Sequence, residues 1–194
     1  MAPTIYFIRH GQTDWNAEYR LQGQKDIPIN KTGRQQALAN GKALQRALVD
    51  PAKFHFVSSP LARARETMEI VRRQVGLPTH GYEVDSRIQE LTFGLWESYT
   101  FEELSIDHEG DVKLRHERKW DFVPPQGESY EMLLARVLTW LPYVEQDSVV
   151  VCHGGVLRVL MHHFNGDPKD EVVRFKVPHD RIFRWDGNEA AWME

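Results

Sequence analysis

Two strand-like segments, separated by most of the chain, each end in a histidine that is followed by glycine. Residues 4–8 and 148–152 are short apolar runs rich in β-branched and aromatic residues, a composition typical of buried strands. The first runs directly into the Arg-His-Gly sequence of residues 9–11, and the second into the His-Gly-Gly sequence of residues 153–155. Because ligands of open α/β sheets bind beyond the carboxyl ends of the strands, this pattern predicts one site assembled from both segments.

The alternation of strand-like and helix-like segments predicts a three-layer α/β/α sandwich with a mostly parallel central sheet. Residues 54–57 form a further strand-like run and residues 82–84 a shorter one, while residues 172–177 and 182–185 are expected to be closing strands. We interpret residues 1–194 as a single domain, since this length suits one hydrophobic core.

Three helix starts are predicted from capping preferences. Asn30 or Thr32 is expected to cap one helix and Ser129 another, because their side-chain oxygens can accept from free N–H groups. Ser59 followed by Pro60 is typical of an N-cap and the first helical position, which predicts a third helix start.

Composition excludes several classes of function. The net charge is −4, from 24 basic and 28 acidic residues, so no global field attracts nucleic acid or an anionic membrane. Cys152 is the single cysteine, which rules out an internal disulfide and fits a reducing compartment. Neither a signal peptide nor a membrane-spanning run is evident, so a cytoplasmic protein is expected.

Residues 97–127 differ from the rest of the chain, because charges alternate there without clean periodicity. Long excursions of this kind often form binding loops, so we expect an insertion that covers the substrate. Its basic cluster has two interpretations: a clamp for a second substrate anion, or a solvated helix face balanced by Glu117 and Asp121. The cluster consists of Lys113, Arg115, His116, Arg118 and Lys119.

The residues at the strand ends favour a phosphoryl ligand. If the strands are parallel, Arg9, His10 and His153 meet at one edge, joined by Arg63 from the first turn of its helix. Guanidinium forks match phosphate oxygens, and exposed N–H groups at helix starts add affinity for an anion. Two neighbouring guanidinium cations would repel a metal ion, so no metal is expected.

Four sequence blocks, in family order, resemble the histidine phosphatase superfamily, the phosphoglycerate mutase-like group. They are Arg-His-Gly-x-Thr-x-x-Asn at 9–16, Ser-Ser-Pro-Leu-x-Arg-Ala at 58–64, Glu90 before Phe-Gly-x-Trp-Glu at 93–97, and Cys-His-Gly-Gly at 152–155. The sequence departs from the family pattern at Ser98, where glycine is usual, and at Asn30, where threonine is common. Neither departure falls on a catalytic position.

The resemblance implies a role for each residue of the site. His10 would attack phosphorus and form a phosphohistidine, and Glu90 would protonate the leaving oxygen and then activate water. Glu97 lies near Glu90 in sequence and competes for the acid role. Arg9, Arg63 and His153 would bind the equatorial oxygens. Substrate-contacting residues would be Arg9, Asn16, Gln22, Gly23, Arg63 and Gly154. The other histidines are assigned structural or surface positions: His55, His80, His108, His116, His162, His163 and His179.

The leading interpretation is a metal-independent phosphatase that hydrolyses a small phosphorylated metabolite. The same residues would serve a phosphoglycerate mutase, for which 2,3-bisphosphoglycerate would be the cofactor; otherwise no cofactor is implied. A non-catalytic phosphate-binding module would keep the arginines but lose the nucleophile or the acid. A metal-dependent hydrolase is a weaker alternative, which insensitivity to a chelator would exclude. Nucleic acid and membrane partners are not expected, and the sequence leaves monomer and homodimer open.

Overall fold

The computed structural model describes residues 2–193, whose six strands form one sheet with helices on both faces. The strand order is β3-β2-β4-β1-β5-β6; the first four strands are parallel, β5 is antiparallel to β1, and β6 is antiparallel to β5. The strands are β1 (Ile5–Arg9), β2 (His55–Ser58), β3 (Glu83–Val84), β4 (Ser148–Cys152), β5 (Ile182–Trp185) and β6 (Ala190–Trp192). The predicted fold class, an α/β sandwich with a mostly parallel sheet, is confirmed.

Two of the three predicted helix caps are present. Asn30 accepts from the Gly33 N–H at 2.9 Å at the start of α2 (Lys31–Ala47), and Ser129 accepts from the Met132 N–H at 3.2 Å at the start of α5 (Tyr130–Leu138). The helices are α1 (Asp14–Ala17), α2 (Lys31–Ala47), α3 (Ala62–Gln74), α4 (Phe101–Glu117), α5 (Tyr130–Leu138), α6 (Gly154–Asn165) and α7 (Lys169–Val172).

Side-chain alternation along the strands builds a hydrophobic core on each face of the sheet. Ile5 and Phe7 of β1 pack into one cluster with residues of α5, α6 and α7. Tyr6 and Ile8 pack into a second cluster with residues of α2 and α3. Because both faces are covered, β1 is apolar up to Arg9 and β4 is apolar after Ser148, which is why both strands are recognisable in the sequence.

The register of the parallel strands brings their carboxyl ends to one edge. Arg9 lies opposite Cys152, and Ser58 lies opposite Val151. The ladder continues one residue further, since the His10 N–H donates to the Cys152 carbonyl at 3.0 Å. The chain segments that follow β1, β2 and β4 therefore leave the sheet side by side.

Two local predictions are wrong. Helix α3 begins at Ala62 with Leu61 as N-cap, not at Ser59 and Pro60. The Ser59 hydroxyl accepts from the Leu61 N–H at 3.4 Å and lies 2.7 Å from His153 Nε2. Residues 172–177 are not a strand: Val172 ends α7, and the residues after it are irregular. Their valines are buried in the core, but the carbonyls of Phe175 and Val177 accept from arginine side chains rather than from a neighbouring strand.

The loop after His10 lies directly on the first turn of α2, and this contact requires glycine. A Cβ at Gly33 would clash with the Gln12 carbonyl oxygen, and a Cβ at Gly11 would clash with the Gly33 carbonyl. Neither backbone segment can yield without moving the strand end or the helix, so we expect Gly33→Ala to lower the free energy of unfolding by about 1–3 kcal/mol, the usual cost of overpacking.

Gly110→Ala is the matched control, because Gly110 lies in α4 and an added Cβ there would have open space around it. It should leave stability unchanged or raise it by up to about 1 kcal/mol, since alanine favours helix. Urea unfolding of both variants measures the difference. Equal midpoints for Gly33→Ala and the wild type would contradict the close-contact argument.

Candidate active site

His10 is buried at the carboxyl end of β1, with only 3% of its surface exposed. Its Nδ1 lies 2.8 Å from the Gly11 carbonyl oxygen. Because a carbonyl can only accept, Nδ1 carries the proton, and the neutral ring keeps its lone pair on Nε2. Burial, followed by the positive charge of Arg63, holds the pKa of His10 well below its ordinary value. His10 is therefore a neutral imidazole with one nitrogen available to attack.

Arg9 and Arg63 supply two buried guanidinium groups beside this ring. Arg9 donates from Nη1 to the Val177 carbonyl at 2.6 Å. Arg63, 1% exposed, donates to the carbonyls of Lys25 and Gly23 at 2.6 and 2.7 Å. Burial lowers the pKa of Arg9 to about 10, so both groups are still cations at neutral pH. Each uses only part of its five N–H donors within the protein.

His153 lies behind His10, with 5.1 Å between the ring centroids. It is fully buried, and desolvation, reinforced by Arg63, holds its pKa well below the ordinary value. Its Nε2 is 2.7 Å from the Ser59 hydroxyl oxygen. The sequence motifs predict that the ends of β1 and β4 meet, and the two histidines are in contact.

Several buried polar atoms of this cluster have no hydrogen-bond partner within residues 2–193. They are Arg9 Nε, Arg63 Nε, His153 Nδ1 and Gln22 Oε1. Unpaired buried donors cost free energy, so they normally have a partner. Arg9 Nε, Arg63 Nε and His153 Nδ1 are three nitrogens that could donate hydrogen bonds to an anion with several oxygens, such as a phosphoryl group.

Glu90 and Glu97 are distinguished by their hydrogen bonds. Glu90 accepts from the Gly155 N–H through Oε2 at 3.0 Å, which holds its carboxylate at the start of α6. Glu97 is engaged elsewhere: its Oε1 accepts from the Thr92 hydroxyl at 2.8 Å and from the Gln24 N–H at 2.9 Å. Glu97 therefore fixes the loop between Gln22 and Lys25, and Glu90 is the one of the two carboxylates that lines a cavity together with His10.

Arg9, His10, Arg63 and Glu90 line a cavity of about 130 Å³. Its walls include seven residues predicted from the sequence: Arg9, His10, Asn16, Gln22, Gly23, Arg63 and Glu90. Six further lining residues were not predicted: Arg20, Leu21, Leu91, Phe93, Tyr130 and Arg158. His153 and Gly154 are not among the lining residues. Asn16 also accepts from the Thr13 N–H at 3.1 Å, so part of its amide is used to cap α1.

Gly154 supports the site through close packing, since a Cβ there would lie 3.3 Å from Arg9 Nε and 3.5 Å from Arg158 Nη1. Arg158 is one helical turn beyond Gly154, a spacing that could have indicated it. His179 is the other missed contact: its Nδ1 donates to the His10 carbonyl at 2.6 Å. No local spacing signals His179, because it reaches His10 from the irregular segment before β5.

The chain belongs to the histidine phosphatase superfamily, branch 1, whose family model matches residues 5–192. This confirms the family predicted from the four sequence blocks, and with it an enzyme of the histidine phosphatase type. Within residues 2–193, no group of three or more His, Cys, Asp or Glu side chains is arranged to hold a metal ion. In the same residues no helix has both the length and the apolar character needed to cross a membrane.

Similar proteins carry both phosphatase and mutase names. A probable phosphoglycerate mutase GpmB from Salmonella arizonae is 32% identical over 97% of this chain and 87% of its own length. A mycobacterial glucosyl-3-phosphoglycerate phosphatase, solved with VO3, has a TM-score of 0.81 and 26% identity, covering 99% of this chain and 96% of its own. Bacillus stearothermophilus YhfR has a TM-score of 0.80 and 29% identity, covering 98% of this chain and 95% of its own.

The two buried neutral histidines make stability depend on pH. The unfolded chain binds a proton at His10 and His153 below about pH 6.5, whereas the folded protein does not, so the unfolded state binds more protons there. We expect the free energy of unfolding to be highest above this pH and to fall by about 1.4 kcal/mol per histidine between about pH 7.5 and 5.5.

Chemical unfolding at several pH values measures this dependence. The dependence of the free energy of unfolding on pH should become weaker in His10→Asn, which removes one of three contributing groups, since burial also lowers the pKa of His179 to about 4. His80→Asn is the control, because His80 is exposed, and it should keep the wild-type slope. A wild type that is equally stable at both ends of the range would contradict the burial of two neutral imidazoles.

Proposed function

We propose that this protein is a metal-independent phosphatase that hydrolyses a small phosphomonoester through a phosphohistidine on His10. The observation that carries the proposal is the state of His10: buried, protonated on Nδ1 by its bond to Gly11, and free to attack through Nε2. A nucleophile next to unpaired guanidinium donors suits a substrate with a phosphoryl group.

In the first step His10 Nε2 forms a bond to phosphorus while the bond between phosphorus and the ester oxygen breaks. Arg9, Arg63 and His153 stabilise the charge on the three equatorial oxygens. Glu90 donates a proton to the departing oxygen, and the product alcohol leaves. The hydrogen bond from the Gly155 N–H holds the Glu90 carboxyl beside the nucleophile for this transfer.

In the second step Glu90, now a carboxylate, removes a proton from water as the water attacks the phosphohistidine. The bond between phosphorus and Nε2 breaks, and inorganic phosphate is released. Both steps use the same two side chains in reversed roles. Neither step calls for a metal, so turnover should be insensitive to a chelator.

Segment 97–127 is proposed to cover the substrate. Its helix α4 packs against the cavity wall, where Leu21 shares a hydrophobic cluster with Trp96 and Leu104. Arg20, also on the wall, donates from Nη1 to Glu103 at 2.8 Å. The substrate is proposed to be a small phosphorylated metabolite of the cytoplasm. Gln22 and Gly23, which line the same wall, would then contact the part of the substrate beyond the phosphoryl group.

The mutase activity in the name of the Salmonella relatives is the second candidate function. The two reactions share the phosphohistidine and differ in whether water or a second hydroxyl accepts the phosphoryl group. We expect release of inorganic phosphate from phosphomonoesters, with little interconversion of 3- and 2-phosphoglycerate even when 2,3-bisphosphoglycerate is supplied. A coupled phosphate assay and a parallel isomer assay measure the two rates, and interconversion faster than phosphate release would establish the mutase.

The choice of Glu90 as general acid is tested by the leaving group. Glu90→Gln should slow hydrolysis of alkyl phosphates by about 10²–10⁴-fold, the usual contribution of general acid–base catalysis. It should slow the first step with 4-nitrophenyl phosphate less, because nitrophenolate leaves without a proton. Pre-steady-state kinetics separates the two steps.

Glu97→Gln is the matched control, since Glu97 is held by Thr92 and Gln24 outside the cavity. Glu97→Gln should change the rates of hydrolysis of alkyl phosphates and of 4-nitrophenyl phosphate by the same factor. A loss that depends on the leaving group in Glu97→Gln, and not in Glu90→Gln, would assign the acid role to Glu97.

A further inference from the structure

A second and larger cavity lies beside the site, between α4 and the segment that follows α7. Its volume is about 600 Å³, and its lining includes Phe101, Arg115, Lys119 and Arg174. Phe101 and Val112 give it apolar walls. The proposed phosphatase reaction uses none of these residues.

Arg115 forms the wall between the two cavities. Its guanidinium carbon lies 5.5 Å from the centre of the Phe93 ring, which lines the small cavity, and 4.7 Å from that of Phe101, which lines the large one. Arg115 is 8% exposed. Within the residues that the structure describes, no carboxylate forms an ion pair with it. A guanidinium that is largely withdrawn from water and packed between aromatic rings would be stabilised further by pairing with an anion.

Cationic side chains continue from the catalytic cavity into the larger one. Arg158 lines the small cavity beside Arg9, and it donates to the Phe175 carbonyl at 2.9 Å and to the Tyr130 hydroxyl at 3.3 Å. The charges of Arg115, Arg158 and Arg174 act on Lys119, which is half-buried. Burial, reinforced by these three arginines, lowers the pKa of Lys119 to about 7.

The acidic side chains of the cavity leave these charges uncompensated. Glu109 and Glu117 line the cavity but are exposed, and neither forms an ion pair with the four cations among residues 2–193. Arg118, which belongs to the same sequence cluster, pairs with Asp121 on the surface instead. The fold therefore brings together three arginines and a lysine whose pKa is lowered to about 7, and a bound anion would stabilise the charged form of each.

We propose that Arg115, Lys119, Arg158 and Arg174 bind a second anionic group, a carboxylate or a phosphate, on the same molecule whose phosphoryl group reacts with His10. This inference rests on the proposed function and narrows its substrate to phosphomonoesters that carry another anion. Phe101 and Val112 would contact the carbon skeleton that joins the two groups. Of the two interpretations of the basic cluster, the anion clamp applies to Arg115 and Lys119, and the solvated face to Arg118.

The test compares substrates that differ only in the second anion. 3-Phosphoglycerate is paired with glycerol 3-phosphate for a carboxylate, and fructose 1,6-bisphosphate with fructose 6-phosphate for a phosphate. 4-Nitrophenyl phosphate reports the phosphoryl chemistry alone. The wild type should prefer at least one anion-bearing member of a pair by about tenfold to a hundredfold in kcat/KM, the usual value of a hydrogen bond to a charged group.

Lys119→Met should remove most of this preference through KM, while retaining the length and apolar body of the side chain. Lys113→Met is the matched control, because Lys113 lines the same cavity but is exposed, and it should keep the wild-type preference. Hydrolysis of 4-nitrophenyl phosphate without a preference in either pair would overturn the inference and leave the phosphatase proposal intact.

A wild type that hydrolyses nothing would instead overturn the proposed function, and the inference would then be decided by binding. Calorimetry would compare the dissociation constants of 3-phosphoglycerate and glycerol 3-phosphate, and of the two fructose phosphates, for the wild type and Lys119→Met. Tighter binding of an anion-bearing member by the wild type, lost in Lys119→Met, would support the subsite. Equal dissociation constants within both pairs would overturn it.

Discussion

The hydrogen bond between His10 Nδ1 and the Gly11 carbonyl is the interaction on which the proposed chemistry depends. It fixes the tautomer, so that the lone pair is on Nε2. Burial and the charges of Arg63 and Arg9 then keep a proton off that nitrogen, because an imidazolium there would be desolvated and repelled. The same arginines that keep the nucleophile neutral are the groups proposed to bind the phosphoryl oxygens. One arrangement of charge thus serves both nucleophile and substrate.

The irregular segment after α7 holds this arrangement in place. The Val177 carbonyl accepts from Arg9, and the Phe175 carbonyl accepts from Arg158. His179 donates to the carbonyl of His10 itself. A strand in this position would direct its carbonyls to a neighbouring strand, and the arginines would lose these partners. The valines of the segment are buried in the core, which explains why its sequence resembles a strand although its backbone supports side chains of the site.

The sequence is sufficient to predict a site residue where the local pattern determines the position of that residue. Arg9, His10 and His153 follow apolar strands, and parallel strands bring their ends to one edge. The sequence is insufficient where a contact joins distant segments of the chain, as in the hydrogen bonds of His179 to His10 and of Arg158 to Phe175. The choice between Glu90 and Glu97 also depends on hydrogen bonds that no spacing reveals. The sequence of helix α4 shows no clean helical period, because its backbone is kinked at His108. In addition, its Leu104 packs with Trp96, which lies outside the helix.

The central claim is that His10 carries the phosphoryl group between the two steps, and rapid-quench labelling tests it most directly. Enzyme mixed with a ³²P-labelled phosphomonoester and quenched in base during turnover should carry an acid-labile, base-stable label on a peptide containing His10. With 4-nitrophenyl phosphate as the labelled substrate, whose leaving group needs no proton, Glu90→Gln should accumulate more of this label, because the carboxylate that activates water is absent, and His10→Ala should carry none. Label on another residue, or turnover by His10→Ala at the wild-type rate, would contradict the account.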